Sequence, residues 1–456
     1  MSRIRRIGCL LSCALILLTS CGAAAHAEEN TWMMPVILTA YVGDGACGVR
    51  AYHAGYENNL YLSLLDLSLA LDGTERQFSF SYGKTAQDGE YHSLRFGEGY
   101  NNETNGIAQL PFDQREDVWL TFRRNRLFVD GEDRKYYTYR EGGYDLFMSL
   151  IDVQLLLGCT LTKLSGTAIR IEPDRPFAPE YSALAVSGYL DTAGVFALGD
   201  VNNGTLLFGH DYMRTVSIAS TTKLMTYLLT VEAIGRGEIR EDTEVTISER
   251  VARLSQSADG IIKMEPGQTV TVKELLSAML VASSNESASA LAECVAGSVE
   301  SFVARMNARA QELGLTTAVF YTPDGLPVYT PEVIPVKRQN CMSASDLFRL
   351  SAFIVGNYPA VTSITSQTYA SLPSLKYTTA NSNPLVFNLQ GVNGLKTGST
   401  NRAGYCLVAS MPVTYGNETH TLVLVLLGSE HASDRGQAAE LLLRCAENEI
   451  AKVGFF

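Results

Sequence analysis

An apolar stretch runs from Leu224 to Ile234 and ends at Gly235. Its apolar side chains cover nearly every face of a helix, a pattern typical of a helix buried in a domain core. Other segments predict helices by amphipathic periodicity and strands by short apolar runs. The predicted helices cover 272–280, 286–296, 301–313, 343–355 and 434–453, and the predicted strands cover 195–198, 206–208, 404–411 and 421–427. These elements together predict an α+β fold in which helices pack on an antiparallel sheet.

An internal repeat occupies residues 31–175, where 60–67 is echoed by 146–153 at an offset of 86 residues. In each copy a strand runs into a Ser-x-x-Asp pattern that resembles a capping box and predicts a short helix. A turn and a second strand follow, over 77–81 in one copy and 168–171 in the other. The repeat therefore predicts a small α+β module in front of the second domain.

Prolines at 173, 176 and 179 stand among charged residues between the two regions. Because proline disfavours a continued helix or a central strand, we expect a linker over residues 176–182. The expected division is then a targeting segment over 1–27, the repeated module over 31–175 and a second domain over 183–456.

The first 27 residues carry three arginines and then an apolar stretch from Gly8 to Leu18, which is too short for a comfortable membrane span. This pattern predicts export to the extracytoplasmic face of the cell membrane or to the cell wall. Two ways of processing remain open. Ala25-His26-Ala27 has the form of an ordinary cleavage site, whereas 18–21 resembles a bacterial lipoprotein signal in which a lipidated Cys21 would attach the protein to the membrane surface.

The formal net charge of −12 disfavours nucleic acid as a partner, because neutralising phosphates requires a basic face. The six histidines show no metal-ligand spacing, so we expect no metal and no cofactor. Beyond the leader, six widely spaced cysteines form no dense framework and no Cys-x-x-Cys pattern. Six cysteines in an exported protein could pair, but buried free thiols are the favoured interpretation.

The residues at the start of the buried helix carry candidate chemistry. Ser220 and Lys223 are three positions apart, so they share a helix face and their side chains can touch. A serine hydroxyl needs a neighbouring base to become nucleophilic, and a lysine whose pKa is lowered can be that base. A second Ser-x-x-Lys, Ser81 to Lys84, has no helix behind it, so the pattern alone has little specificity.

Two further motifs follow in the chain. Ser283-Ser284-Asn285 occupies a predicted loop between two helices, and Lys396-Thr397-Gly398 opens a stretch that continues with Ser399. Each motif is common by chance. The three motifs in this order, each at the end of an element, are specific.

The set resembles the serine D-Ala-D-Ala carboxypeptidases, the low-molecular-mass penicillin-binding proteins, over roughly 181–456. The resemblance implies a fold of the penicillin-binding-protein and β-lactamase type and a role in peptidoglycan metabolism and cell shape. It also implies a peptidoglycan pentapeptide ending in D-Ala-D-Ala as substrate and β-lactams as covalent inhibitors. Separately, 127–172 resembles the small module named after the copper amine oxidase N-terminus, without its copper ligands. This resemblance suggests a stalk or wall-contact module, and binding of a glycan or a partner through its many tyrosines stays open as the alternative.

The resemblance assigns a role to each motif residue. Ser220 is the expected nucleophile, Lys223 its base, and Ser283 the relay that returns the proton to the leaving D-alanine. Asn285 is expected to hold the substrate amide, and Lys396 and Thr397 to bind the free carboxylate. We also expect the charge of Lys396 to keep Lys223 neutral. The remaining expected binding positions are Gly398, which lets extended substrate lie along the strand, and the backbone N–H groups of Ser220 and Ser399, which form the oxyanion hole.

Three other functions share some of these features. A β-lactamase would need fast hydrolysis of the acyl-enzyme, and the Glu-x-x-Leu-Asn loop of one class is absent between 285 and 396. A D,D-endopeptidase acting on peptidoglycan cross-links uses the same chemistry and stays open. A non-enzymatic surface protein would not be expected to retain all five reactive side chains of the three motifs.

Overall fold

The computed structural model describes residues 29–54, 60–85, 89–100, 118–141, 145–186, 189–329 and 337–454. The expected targeting segment, including Cys21, lies outside these residues. Among the described residues, no helix combines the length and the apolar character needed to cross a membrane. The six cysteines from Cys47 onwards are all free thiols, as expected, but only four of them are buried, since Cys47 and Cys294 are partly exposed.

The first unit is a ten-stranded sheet with two helices. Its strands follow the order β4-β5-β6-β7-β8-β3-β2-β1-β10-β9, and β1 also pairs with β6, so six of the strands close into a ring. The strands are β1 (Glu29–Val42), β2 (Gly45–Ala54), β3 (Leu60–Ser63), β4 (Phe78–Thr85), β5 (Gly89–Phe96), β6 (Val118–Val129), β7 (Glu132–Glu141), β8 (Asp145–Ser149), β9 (Thr160–Ser165) and β10 (Ala168–Glu172). The helices are α1 (Leu64–Ala70) and α2 (Leu150–Leu157).

The two copies of the repeat pair with each other. Strand β3 runs antiparallel to β8, with Leu62 opposite Met148, and these residues occupy the same position in the two copies. Ser63 caps α1 and Ser149 caps α2, each by accepting a hydrogen bond from the backbone N–H three residues on. The predicted Ser-x-x-Asp caps are therefore confirmed, and they fix where each strand turns into its helix.

The second unit is built on a five-stranded antiparallel sheet with the order β12-β11-β23-β22-β21. These strands are β11 (Val195–Asp200), β12 (Thr205–His210), β21 (Gly394–Thr400), β22 (Gly404–Tyr415) and β23 (Glu418–Ser429). Six short strands form two-stranded pairs beside it: β13 (Val216–Ser217), β14 (Glu244–Thr246), β15 (Thr269–Thr271), β16 (Val328–Tyr329), β17 (Lys337–Arg338) and β18 (Cys341–Met342). A further hairpin consists of β19 (Tyr369–Leu372) and β20 (Tyr377–Ala380).

Helices cover both faces of this sheet, because alternate residues of the central strands enter two separate hydrophobic cores. The predicted α+β class, with helices on an antiparallel sheet, is confirmed. The helices are α3 (Pro179–Val186), α4 (Tyr189–Ala193), α5 (Lys223–Gly235), α6 (Glu249–Gln256), α7 (Val272–Val281), α8 (Asn285–Ala296), α9 (Val299–Glu312), α10 (Ala344–Asn357), α11 (Ala360–Thr365), α12 (Leu385–Asn388) and α13 (Ala432–Val453).

The segment expected to be a linker contains structure. Helix α3 begins at Pro179, where proline is tolerated because the first helical position needs no backbone donor. Tyr181 of this helix is buried in the core on the α13 face of the sheet. The first unit is also packed against the second, since Ile151 of α2 is buried in the larger core of the second unit.

Candidate active site

Ser220 lies in a single 3₁₀ turn, Ala219–Thr222, and Lys223 begins α5 directly after it. Ala219 has a φ of 47°, in the left-handed region that non-glycine residues rarely adopt. This turn places the Lys223 Nζ atom 2.8 Å from the Ser220 Oγ atom. The two side chains that the sequence predicted to touch are therefore in hydrogen-bond contact.

Two further oxygens surround the Lys223 amine. The Nζ atom lies 2.7 Å from the Asn285 Oδ1 atom and 2.8 Å from the Asp324 carbonyl oxygen. The side chain is fully buried, and this burial lowers the pKa of Lys223 to about 8, against the opposing effect of the Asp324 and Glu286 carboxylates. We expected the charge of Lys396 to lower this pKa, but desolvation has that effect here.

The Ser283-Ser284-Asn285 motif forms the joint between α7 and α8. Ser283 has a φ of 67°, and among the described residues its hydroxyl makes no hydrogen bond. Ser284 caps α8, so Asn285 occupies the first helical position. The Asn285 Nδ2 atom donates to the Asp259 carbonyl at 2.7 Å, and both ends of this amide are therefore engaged within the protein.

Lys396 and Thr397 lie on β21, the edge strand of the sheet. Lys396 is buried, and its Nζ atom donates to the Thr397 carbonyl at 2.8 Å. Its pKa lies well below the ordinary value, because the amine is desolvated and because Lys223 and Arg435 repel its charge. The repulsion that we expected between the two lysines is therefore present, but it acts on Lys396. The Thr397 hydroxyl lies 2.7 Å from the Ser382 hydroxyl.

Two glycines let the backbone pack closely against the turn that bears Ser220. A Cβ atom on Gly398 would lie 2.8 Å from the Ser220 nitrogen, and one on Gly325 would lie 2.0 Å from the Ala219 carbonyl oxygen. Gly325 also has a φ of 90°, which favours glycine. Strand β21 and the turn after Asp324 are thus pressed against the two sides of the 3₁₀ turn.

The second Ser-x-x-Lys motif does not have the arrangement seen at Ser220 and Lys223. Ser81 and Lys84 belong to strand β4, with no helix behind them, as predicted. The Lys84 amine is exposed and pairs with Glu90 at 3.2 Å. Because alternate residues of a strand face opposite sides, Ser81 and Lys84 do not share a face.

Sequence reasoning missed Asn340, which is fully buried and contacts the turn that bears Ser220. Its side chain accepts from the backbone N–H groups of Tyr321 and Thr322 and donates to the Thr222 hydroxyl and the Thr322 carbonyl. It therefore ties the turn that bears Ser220 to the segment that ends in Asp324. Asn340 follows three other polar residues, 337–339, so no local pattern in the sequence singled it out for this role.

Arg435, at the start of α13, was also missed. Its guanidinium is buried, its Nη1 atom donates to the Cys406 carbonyl at 3.4 Å, and its Nε atom has no partner among the described residues. Its charge is one of those that lower the pKa of Lys396. The site thus contains three basic side chains that are mostly or wholly removed from water. Such a set favours an anionic ligand.

Among the described residues, no group of three or more His, Cys, Asp or Glu side chains is arranged to hold a metal ion. The site is built from hydroxyls, amines and amides. This composition suits acyl transfer by a serine nucleophile.

Comparison with known proteins supports the resemblance that the three motifs indicated. Residues 187–430 match the family model for D-alanyl-D-alanine carboxypeptidases. The chain is 35% identical to the D-alanyl-D-alanine carboxypeptidase DacF of Bacillus subtilis over 46% of this chain and 51% of that protein. It is 31% identical to DacA of Haemophilus influenzae over 56% of this chain and 61% of that protein. The chain therefore spans about half to three fifths of the length of these curated relatives.

Among solved structures, the peptidoglycan synthesis regulatory factor PBP3 of Streptococcus pneumoniae superposes with a TM-score of 0.52 at 30% identity, over 56% of this chain and 70% of that chain. The match to the family model extends over more than half of the chain and includes Ser220, Lys223, 283–285 and 396–399. The chain belongs to the D-alanyl-D-alanine carboxypeptidase family.

Proposed function

We propose that this protein is a serine D-alanyl-D-alanine carboxypeptidase that removes the terminal D-alanine from peptidoglycan stem peptides through an acyl-enzyme on Ser220, and that penicillin acylates the same serine. The observation that carries the proposal is the 2.8 Å contact between the Ser220 Oγ atom and a fully buried Lys223 amine. A buried amine with a lowered pKa beside a hydroxyl is the arrangement that nucleophilic catalysis by serine requires.

The three contacts of Lys223 match the uncharged form of the amine. A neutral amine has two N–H bonds and one lone pair. Asn285 and Asp324 present oxygens that can only accept, so they take the two N–H bonds. In this form of the amine the lone pair faces the Ser220 hydroxyl, which can donate its proton to Nζ as well as accept from it. Lys223 can accept the Ser220 proton as Oγ attacks the carbonyl between the two D-alanines.

Asn285 has a second role in this scheme beside the one that its motif suggested. We assign it to orient the Lys223 amine, because its Oδ1 atom contacts Nζ and its Nδ2 atom is held by the Asp259 carbonyl. The Nδ2 atom carries two N–H bonds, so the second one can still hold the substrate amide. Ser283 is available as the proton relay to the departing D-alanine nitrogen, since its hydroxyl is uncommitted among the described residues.

The free carboxylate of the substrate would bind at Lys396 and Thr397, next to Arg435. Burial and repulsion lower the pKa of Lys396 in the free protein. A bound carboxylate favours the charged form, so it would raise this pKa and make a charge-assisted hydrogen bond. Gly398 leaves the strand edge open to extended substrate, and backbone N–H groups of Ser220 and Ser399 would hold the oxyanion.

The experiment is to incubate the full chain with a pentapeptide ending in D-Ala-D-Ala and, separately, with labelled penicillin. We expect released D-alanine and a long-lived covalent adduct. Ser220→Ala should abolish both, whereas the matched variant Ser81→Ala, which removes a serine from the same four-residue pattern on β4, should affect neither. Rapid turnover of penicillin would indicate a β-lactamase, and cleavage of cross-linked dimers without D-alanine release from the pentapeptide would indicate an endopeptidase.

The proposal extends to the N-terminal part of the chain. Residues 1–27 would direct export, with either cleavage after Ala27 or lipidation of Cys21, and residues 31–175 would form a wall-contact module like the one it resembles. The packing of Ile151 into the core of the second unit favours a module docked on the catalytic unit over a loose stalk. Mass spectrometry of the processed chain, with Cys21→Ala as the matched variant, distinguishes lipidation from simple cleavage.

A further inference from the structure

The segment Asn381-Ser382-Asn383 joins the β19–β20 hairpin to helix α12 and passes next to the site. The Ser382 hydroxyl lies 2.7 Å from the Thr397 hydroxyl, and the Ser382 backbone N–H donates to the Val281 carbonyl at 2.9 Å. Val281 is the last residue of α7, just before Ser283. One residue therefore contacts both the strand that carries Lys396 and the helix end that carries Ser283.

Two asparagine side chains fix the backbone on either side of Ser382. The Asn381 Nδ2 atom donates to the carbonyls of Thr365 and Gln367, while its Oδ1 atom accepts from the Asn383 N–H. The buried Asn383 side chain donates to the Gly394 carbonyl at 3.1 Å. The side chains of Asn381 and Asn383 thus bind backbone groups before and after Ser382, and the Ser382 N–H binds a third element, α7. This holds the serine backbone in place and leaves its hydroxyl as the group presented to Thr397.

A hydroxyl has one proton and two lone pairs, so either of two contacting hydroxyls can be the donor. A third group that accepts or donates a hydrogen bond fixes which one donates. If Ser382 donates to Thr397, the Thr397 proton remains available to an anion in the cleft. A carboxylate beside Thr397 accepts that proton, and the chain then runs from Ser382 through Thr397 to the ligand. Hydrogen bonds to a charged acceptor are stronger than neutral ones and polarise the bond behind them.

We propose that Ser382 is a positioning residue for the Thr397 hydroxyl, which it orients toward the carboxylate of the substrate or inhibitor. The inference rests on the proposed function, because it requires that a carboxylate binds at Thr397. Ser382 acts through Thr397 and is not required for attack by Ser220. Its loss should therefore weaken binding of carboxylate ligands without removing the nucleophile or its base.

The test is Ser382→Ala, with the pentapeptide and with two forms of benzylpenicillin, the free acid and its methyl ester. We expect the KM for the pentapeptide to rise about fivefold to tenfold with little change in kcat, the size of effect typical of one hydrogen bond. Acylation by the free acid should fall by the same factor, and acylation by the ester should not change. Ser382→Thr, which keeps the hydroxyl, should restore the wild-type values.

The matched control is Ser374→Ala, which removes a hydroxyl from the turn of the neighbouring hairpin; this hydroxyl makes a 2.7 Å hydrogen bond to Glu274 on the exposed side. It should leave the KM unchanged. Equal losses with the acid and the ester, or no loss with either, would overturn the role of Ser382 while wild-type activity still stands. Absence of D-alanine release and of acylation in the wild-type protein would instead overturn the proposed function.

A double-mutant cycle gives a second readout. Thr397→Val should cost more than Ser382→Ala, and adding Ser382→Ala to Thr397→Val should cost almost nothing, because no hydroxyl remains to be oriented. Fully additive losses would contradict the proposal. Thermal unfolding of each variant separates these effects from a general loss of stability.

Discussion

Gly398 and Ser220 contact each other through their main chains, since a Cβ atom on Gly398 would lie 2.8 Å from the Ser220 nitrogen. The same atom would lie 3.1 Å from the Thr221 nitrogen. Both neighbours are backbone atoms, which cannot rotate away as a side chain can. The closeness of β21 to Ser220 therefore depends on the absence of a side chain at this one position.

We expect Gly398→Ala to lower the rate of penicillin acylation about 100-fold, because the added methyl group must push the strand away from the 3₁₀ turn and displacements near 1 Å cost about that much. The rate is measured with labelled penicillin. Gly356→Ala is the control, since a Cβ there meets nothing within 4 Å. Equal rates in the Gly398 variant and the wild type would show that the contact does not set the geometry of the site.

The pH dependence of the acylation rate should reflect the titration of the Lys223 amine. The base must be uncharged, and its pKa is about 8, so the acylation rate should rise with pH up to about 8 and then level off. Lys223→Ala should lower the rate by orders of magnitude near neutral pH. Near-normal acylation in this variant would exclude Lys223 as the base.

Asp324→Asn is expected to move this profile. The Asp324 carboxylate raises the pKa of Lys223, so replacing it with a neutral amide should lower that pKa and shift the rise in acylation rate to lower pH. Asparagine keeps an oxygen for the Leu326 N–H, which donates to Asp324 at 2.8 Å. The midpoint of the profile is the measurement, and a shift to higher pH would contradict the expectation.

Asn340→Ala should destabilise the second unit by about 3 kcal/mol, because it leaves several buried backbone groups without partners. Chemical denaturation followed by circular dichroism measures the change. Asn357→Ala is a suitable control, since this exposed side chain donates only to the Phe353 carbonyl in the preceding turn of its own helix. Similar stability losses in the two variants would show that Asn340 does not hold the turn of Ser220 against the segment that ends in Asp324.

Ile151→Ala tests whether the two units support each other. Ile151 is 4% exposed and lies in the core of the second unit, so its truncation should cost about 2–5 kcal/mol. The readout is penicillin acylation against urea concentration, which reports on the second unit alone. The midpoint should move to lower urea, whereas Leu164→Ala, which is 45% exposed, should leave it in place.

The sequence predicted the local features well, because each depends on residues close together in the chain. The Ser220 to Lys223 contact, the caps at Ser63 and Ser149 and the strand bearing Ser81 are of this kind. The helix at Pro179 was missed, because proline was taken as a breaker when it stood at a first helical position.

Long-range contacts could not be predicted in the same way. Asn340 bonds to Thr222 across 118 residues, and no periodicity or motif joins the two positions. The burial of the two lysine amines was the second feature that the sequence could not predict. The sequence suggested that Lys396 lowers the pKa of Lys223, but the fold desolvates both amines and the mutual repulsion appears on Lys396.

Ser220 and Lys223, the proposed nucleophile and its base, stand at the beginning of α5, whose side chains are buried along most of its length. Loss of order in the interior of the second unit should therefore disturb Ser220 within one helical turn. If penicillin acylates Ser220 as proposed, only intact molecules should be labelled. The intensity of the labelled band on a gel would then measure the fraction of this chain that survives heating.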